Sequence, residues 1–169
     1  DIRAWAAASD TGYTFAGALW QPRASLKADV SSGDRDPSDS RLETFSSMFP
    51  RAAYFNTSSL VGLANLIDLH PAVDLHPTRL LTLTFDWDFF WRESARDGFY
   101  GPSINLLRSG QKTNARYIGS QPSVRSEWRL GRHWDVTLVY ARFVAGPFLK
   151  RSGSGRDVDY VAPTVAYKF

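Results

Sequence analysis

Apolar and polar residues alternate along most of this chain with a period of two. In the closing stretch Val161, Pro163, Val165, Tyr167 and Phe169 share one face. Tyr160, Ala162, Thr164, Ala166 and Lys168 share the other. Residues 19–31 repeat the pattern, with Trp20, Pro22, Ala24, Leu26, Ala28 and Val30 against Gln21, Arg23, Ser25, Lys27 and Asp29. Residues 80–92 set Leu81, Leu83, Phe85, Trp87, Phe89 and Trp91 against Thr82, Thr84, Asp86, Asp88, Phe90 and Arg92. Strict alternation over such lengths predicts strands. Further strands are predicted over residues 2–15, 65–76, 117–130 and 133–145. In the last of these the phase is ambiguous beyond Tyr140, because Arg142 falls on the apolar side. No segment carries a sustained helical stripe, so the chain reads as all-β.

The connections alternate in length. Turns near Gly17, at Pro77-Thr78 and at Gly131-Arg132 are short. Residues 33–63 and 93–115 are long, and residues 146–156 are intermediate. Short turns at one end and long loops at the other are the pattern of an antiparallel transmembrane β-barrel, with short periplasmic turns and long outer loops. The long loops are expected to be external and mobile. The first contains an aromatic patch at residues 49–55.

The aromatic residues fall into two levels. Trp20, Trp128 and Trp134 stand by the short turns with Tyr13, Phe15, Tyr167 and Phe169, whereas Trp5, Trp87 and Trp91 stand toward the long loops. Two girdles suit a wall that faces lipid, and a soluble β-sandwich gives no reason for them. Pro22, Pro71, Pro122 and Pro163 fall inside predicted strands, where each removes a ladder donor, so bulges or rim positions are expected there. About seven strands are predicted, whereas single-chain bacterial barrels have even counts. The expectation is therefore a single β-barrel domain over residues 1–169 that forms the C-terminal portion of a larger barrel.

Composition narrows the chemistry. The chain has no cysteine, which removes disulfides and thiolate metal sites. Its mean hydropathy is slightly hydrophilic, as expected when only half of each strand meets lipid. No run approaches the ~20 apolar residues of a membrane helix. The net charge of +3 suits an anionic partner only weakly, since the acidic residues nearly balance the basic ones, and no nucleic-acid partner is expected.

Several segments in order carry a family resemblance. They are residues 5–15 (WAAASDTGYTF), 20–23 (WQPR), 32–37 (SGDRDP), 49–55, 65–70 (NLIDLH), 86–92 (DWDFFWR), 97–102 (DGFYGP), 106–110 (LLRSG), 117–121 (YIGSQ), 145–149 (AGPFL) and 155–157, with the final Tyr-Lys-Phe. Together they resemble the alginate export family of outer-membrane porins. The resemblance implies a bacterial outer-membrane channel that exports an anionic polysaccharide resembling alginate through an arginine-lined pore. It implies a uronate polymer as substrate, outer-membrane lipid around the wall and periplasmic export components as partners. Members resemble large barrels of many more strands than this chain supplies. A generic outer-membrane porin and a soluble β-barrel ligand-binding protein are the alternatives.

The strand phase assigns an inner face. The expected conduit residues are Arg23, Lys27, Asp86, Asp88, Arg92, Arg125, Glu127 and Arg129, in company with Asp29, Asp68, His70, Asp74, His76 and Lys168. Arginine suits a uronate because its planar fork donates two parallel bonds to a carboxylate and keeps its charge. Interleaved acids would limit affinity so that polymer can leave. A charge ladder that only fills a wet lumen is the alternative role for any one residue.

No catalytic residue and no cofactor is expected. Asp86 and Asp88 form a carboxylate pair of the kind used in glycoside hydrolysis, but lumenal acids facing arginines account for them. Asp68-Leu69-His70 and Asp74-Leu75-His76 repeat on one face. Same-face neighbours stand ~6.6 Å apart along a strand, so a metal would need a donor from a neighbouring strand, and no metal site is expected.

Overall fold

The computed structural model describes residues 1–49, 54, 55 and 58–169. Pro50, Arg51, Ala52 and Ala53 of the aromatic patch lie outside the described residues. Among the described residues nine strands form: β1 (Ala6–Thr14), β2 (Arg23–Ser31), β3 (Leu66–Thr78), β4 (Leu81–Trp91), β5 (Phe99–Tyr100), β6 (Leu106–Arg108), β7 (Tyr117–Leu130), β8 (Trp134–Ala145) and β9 (Val158–Tyr167). One short helix, α1 (Pro147–Ser152), lies between β8 and β9. Seven strands make one sheet in the order β1-β2-β3-β4-β7-β8-β9, and β5 and β6 make a separate hairpin. Every ladder of the large sheet is antiparallel. This is the expected all-β meander, with short and long connections alternating.

The boundaries move where the backbone forbids the ladder. β2 starts at Arg23 rather than near Leu19, because Trp20 and Gln21 turn through left-handed conformations (φ 64° and 45°). Pro22 therefore stands outside the strand. The β3–β4 ladder runs through Leu69 opposite Phe89 and resumes at Ala72 opposite Asp86, lapsing at His70 and Pro71. The β7–β8 ladder lapses in the same way around Pro122, between Ser120 and Ser123. Pro163 is accommodated on β9, an edge of the sheet. β1 starts at Ala6, and Ile2 instead bridges to Leu42 of the first long loop.

One face of the sheet is apolar and open. Leu26, Leu69, Val73, Phe85, Trp87, Val124, Leu138, Val161 and Val165 are all exposed on it. An exposed apolar surface of this extent suits a lipid environment. Both aromatic levels are present. Near the long loops Trp87 stacks on Phe89 at 5.1 Å between ring centroids, Phe89 on Trp91 at 6.2 Å, and Trp91 meets Tyr117 at 5.4 Å. Near the short turns Trp134 meets Tyr167 at 4.8 Å, and Tyr167 meets Phe169 at 5.2 Å. Trp20 departs from the expected belt. Its left-handed turn brings it to a recess that it shares with Glu127 and Arg129. The ambiguous phase beyond Tyr140 resolves without a break. Arg142 stays on the outer face and pairs with Asp157 at 3.4 Å and Asp159 at 3.8 Å.

The buried core sits under the long loops. Leu66, Phe90, Ile118, Phe143, Ala145 and Phe148 are buried together with Val61 and Phe99. Phe55 of the first long loop packs on Phe90 at 5.3 Å. The two long loops are also tied to each other. Gly33 N donates to Glu93 Oε2 at 3.1 Å, and Ser94 Oγ donates to the oxygen of Asp34 at 2.7 Å. Asn65 Nδ2 donates to the oxygens of Ser94 and Gly98, at 3.1 and 2.8 Å. These contacts join the described residues of the two long loops at the outer end of the sheet.

Candidate functional site

The inner face is built in rows, because strand register sets which side chains stand level. From the long loops toward the short turns, one row contains Lys27, His70, Asp88 and Gln121. The next contains Ser25, Ala72, Asp86 and Ser123. A third contains Arg23, Asp74, Thr84 and Arg125, and a fourth Thr82, Glu127 and Thr137. The polar side chains recur every second residue on adjacent strands, so they share one side of the sheet.

A concave cavity of about 520 Å³ opens on these rows. Its walls include Asp10, Arg23, Lys27, Asp74, Asp86 and Arg125, and Tyr54 and Phe55 close one side. Arg23 bridges two strands, 3.9 Å from Asp10 on β1 and 3.7 Å from Asp74 on β3. Thr84 Oγ1 donates to the other oxygen of Asp74 at 2.7 Å. Asp86 Oδ1 accepts from Ser123 Oγ at 2.8 Å. Arg125 lies 3.5 Å from Glu127 on its own strand. These pairs are partly exposed, so water weakens them and the cations stay available to an anion. Among the described residues, Lys27 has no ion-pair partner and neither has Arg129.

A second recess of about 700 Å³ lies at the short-turn end. Glu127, Arg129, His76, Gln21 and Trp20 line it. Lys168 forms an ion pair with Asp135 at the same end.

The structure thus brings Arg23, Lys27, Asp86 and Arg125 to one cavity and Glu127 and Arg129 to the next. Two of the expected conduit residues stand elsewhere. Asp88 is fully buried behind the first cavity, where Gln121 Nε2 donates to its Oδ2 at 3.4 Å. Arg92 is also fully buried and is a structural cation, not a lining group. Its guanidinium donates to the main-chain oxygens of Ala95 at 2.9 Å, Asp97 at 2.8 Å, Thr113 at 2.8 Å and Ala115 at 2.6 Å. It also stacks over the Phe148 ring at 4.1 Å. Burial pushes its pKa down to about 10, so it stays charged at neutral pH.

Sequence reasoning missed Asp10 and Tyr54. Asp10 sits in a run of Ala, Ser, Thr and Gly with no apolar contrast between the faces of β1. Tyr54 comes from the long loop and donates to Asp29 Oδ1 at 3.1 Å. Burial, then the charge of Asp29, pushes its phenol up to about 12. The neighbouring-strand donor that Asp68 and His70 lacked in the sequence is Asp88. The ligand-type atoms of these three residues lie within 4.8 Å of one another.

The family model described as alginate export matches residues 1–162. No curated protein matches the chain.

Proposed function

The chain belongs to the alginate export family, and from that premise we propose that it supplies part of the wall of a channel for an anionic, uronate-type polysaccharide. Membership supports an outer-membrane, porin-type exporter of polysaccharide rather than an enzyme. The finer reading concerns which residues meet the polymer. Arg23, Lys27, Arg125 and Arg129 are its cationic contacts, and Asp86 and Glu127 moderate their hold. The observation that carries this reading is the open cavity in which Arg23, Lys27 and Arg125 stand within rows of acids and hydroxyls. Partly paired arginines offer repeated weak carboxylate sites, and conduction requires sites weak enough to release what they bind.

The apolar face meets outer-membrane lipid in this reading, and periplasmic export components approach the short-turn end. β1 pairs only with β2 and β9 only with β8 among the described residues. An open sheet edge is not tolerated in hydrocarbon. Residues 1–169 therefore act as one barrel segment that further strands complete.

The test is conductance of the complete barrel in planar bilayers, with and without Arg125→Glu and Arg129→Glu. Charged side-chain rings set pore selectivity. Reversing both charges should move the reversal potential toward cations and weaken block by uronate oligomers. If neither changes, these arginines do not line the conduit. If the reversal potential moves but uronate never blocks either form, the protein is a general porin.

A further inference from the structure

Behind the open cavity lies a buried group of ionisable side chains that polymer contact leaves unused. Asp68 and His70 stand on the inner face of β3, and Asp88 reaches them from β4. Asp68 is only 1 % exposed, and among the described residues neither of its carboxylate oxygens has a hydrogen-bond partner. His70 Nδ1 stands 2.8 Å from Asp88 Oδ1, close enough for an ion pair when the imidazole is protonated, but among the described residues no hydrogen bond of good geometry reaches that oxygen. Asp29 stands opposite Asp68, and its Oδ2 likewise has no hydrogen-bond partner among the described residues. The groups facing the cluster are few: Lys27 is level with His70, Tyr54 bonds Asp29, Gln121 bonds Asp88, and Asp86 lies 3.6 Å from His70 Nε2.

Buried carboxylates without donors are costly and are normally paired or bound to a metal. We propose that Asp68, His70 and Asp88 bind a divalent cation that clamps β3 to β4. Two carboxylates and a neutral imidazole balance its charge. The donor set is mixed, oxygen with one nitrogen; Mn²⁺ accepts both kinds of donor, whereas Ca²⁺ sites are built of oxygen alone. The 2.8 Å between His70 Nδ1 and Asp88 Oδ1 also fits. Ligands at right angles and ~2.1 Å from an ion stand ~3 Å apart, as in an octahedral shell. The position supplies a purpose, since the β3–β4 ladder lapses at His70 and Pro71. The cation restores there a cross-strand link that the backbone lacks.

The experiment uses the full protein extracted in detergent and stripped with a chelator, then titrated with MnCl₂. Free Mn²⁺ is read by electron paramagnetic resonance, and unfolding is followed by heating. Wild type should take up about one Mn²⁺ per chain and unfold at a higher temperature when it is bound. Asp68→Asn should bind at least about tenfold more weakly, as disruption of metal sites commonly does. Asp74→Asn, an inner-face acid outside the cluster, should bind like wild type. His70→Gln serves as a second ligand variant if Asp68→Asn does not fold. Wild type that retains no more Mn²⁺ than Asp68→Asn or His70→Gln, or equal loss in Asp74→Asn, overturns the site. Polymer transport enters none of these readouts.

Discussion

Arg92 Nη1 donates to the main-chain oxygen of Asp97 at 2.8 Å, while the Asp97 carboxylate gathers donors from both long loops. Its Oδ2 accepts from Asp34 N at 2.9 Å and Thr44 Oγ1 at 2.7 Å, and its Oδ1 from Gly98 N at 2.6 Å and Tyr100 Oη at 2.7 Å. A cation at the root of one loop and an anion five residues later hold the outer end of the sheet together. Arg92→Met should strip its donor from the buried oxygen of Asp97 and from the half-buried oxygens of Ala95, Thr113 and Ala115, at up to ~1–3 kcal/mol each before relaxation and water access. Arg92→Lys should recover only part of the loss, because an ammonium cannot fork to several acceptors and stack on Phe148 at once. Heat-dependent migration of the folded protein in detergent gels reads this directly. An unchanged unfolding temperature in Arg92→Met would return Arg92 to the list of lining residues.

Two half-buried phenols should make the outer layer sensitive to alkali. Tyr54 is pushed up to about 12 by burial and by Asp29, and burial with the Asp97 hydrogen bond raises Tyr100 further. An unfolded tyrosine ionises near pH 10. Between about pH 10 and 12 the native chain therefore holds protons that the unfolded chain has released, so stability falls as pH rises through that window. Protease cleavage of the long loops should increase there, and Tyr54→Phe with Tyr100→Phe should blunt the increase. If the phenolate absorbance that the double variant loses, relative to wild type, already appears near pH 10 in the folded protein, the two phenols are freely solvated.

The two faces of β4 make opposite demands on one substitution. Leu83 lies on the lipid-facing side, so Leu83→Arg should impair insertion at a cost of ~2–4 kcal/mol near mid-bilayer. Thr84 already bonds Asp74, so Thr84→Arg places its charge beside an acid on the wet side and should insert normally. Yield of heat-modifiable barrel in outer membranes compares them. Equal yields would mean that the faces are assigned wrongly.

The strands and their faces were legible because apolar contrast at a period of two survives wherever one side meets lipid. β2, β4 and β9 show it plainly. β1 hid its inward Asp10 because small residues occupy both of its faces. Arg142 blurred β8, since near the outer rim the contrast inverts. There the outer face carries Arg142 with Asp157, while Phe143 and Ala145 turn inward beneath the loops. Arg92 misled for the same reason. Its phase is inward, but the inner face at that height is covered by loop backbone, not by water. Loop packing depends on contacts across many tens of residues, which no local pattern reports. The meeting of Asp68, His70 and Asp88 likewise depends on the register between β3 and β4, which the alternation alone leaves open by steps of two.

Arg23 offers a test of opposite sign to the loss of arginines. It is held between Asp10 and Asp74, at 3.9 and 3.7 Å, so the local charge of the trio is negative. Asp10→Asn with Asp74→Asn keeps the shapes, removes both acids and leaves Arg23 free to meet an anion. If this trio lines the conduit, the complete barrel should shift its reversal potential toward anions, and uronate oligomers should block it more strongly and leave more slowly. Arg23→Gln in the same background should cancel both effects, which separates the freed arginine from a general rise in positive charge. A double variant that conducts and is blocked like wild type would place the trio away from the ion path and reduce Arg23 to a cross-strand tie between β1 and β3.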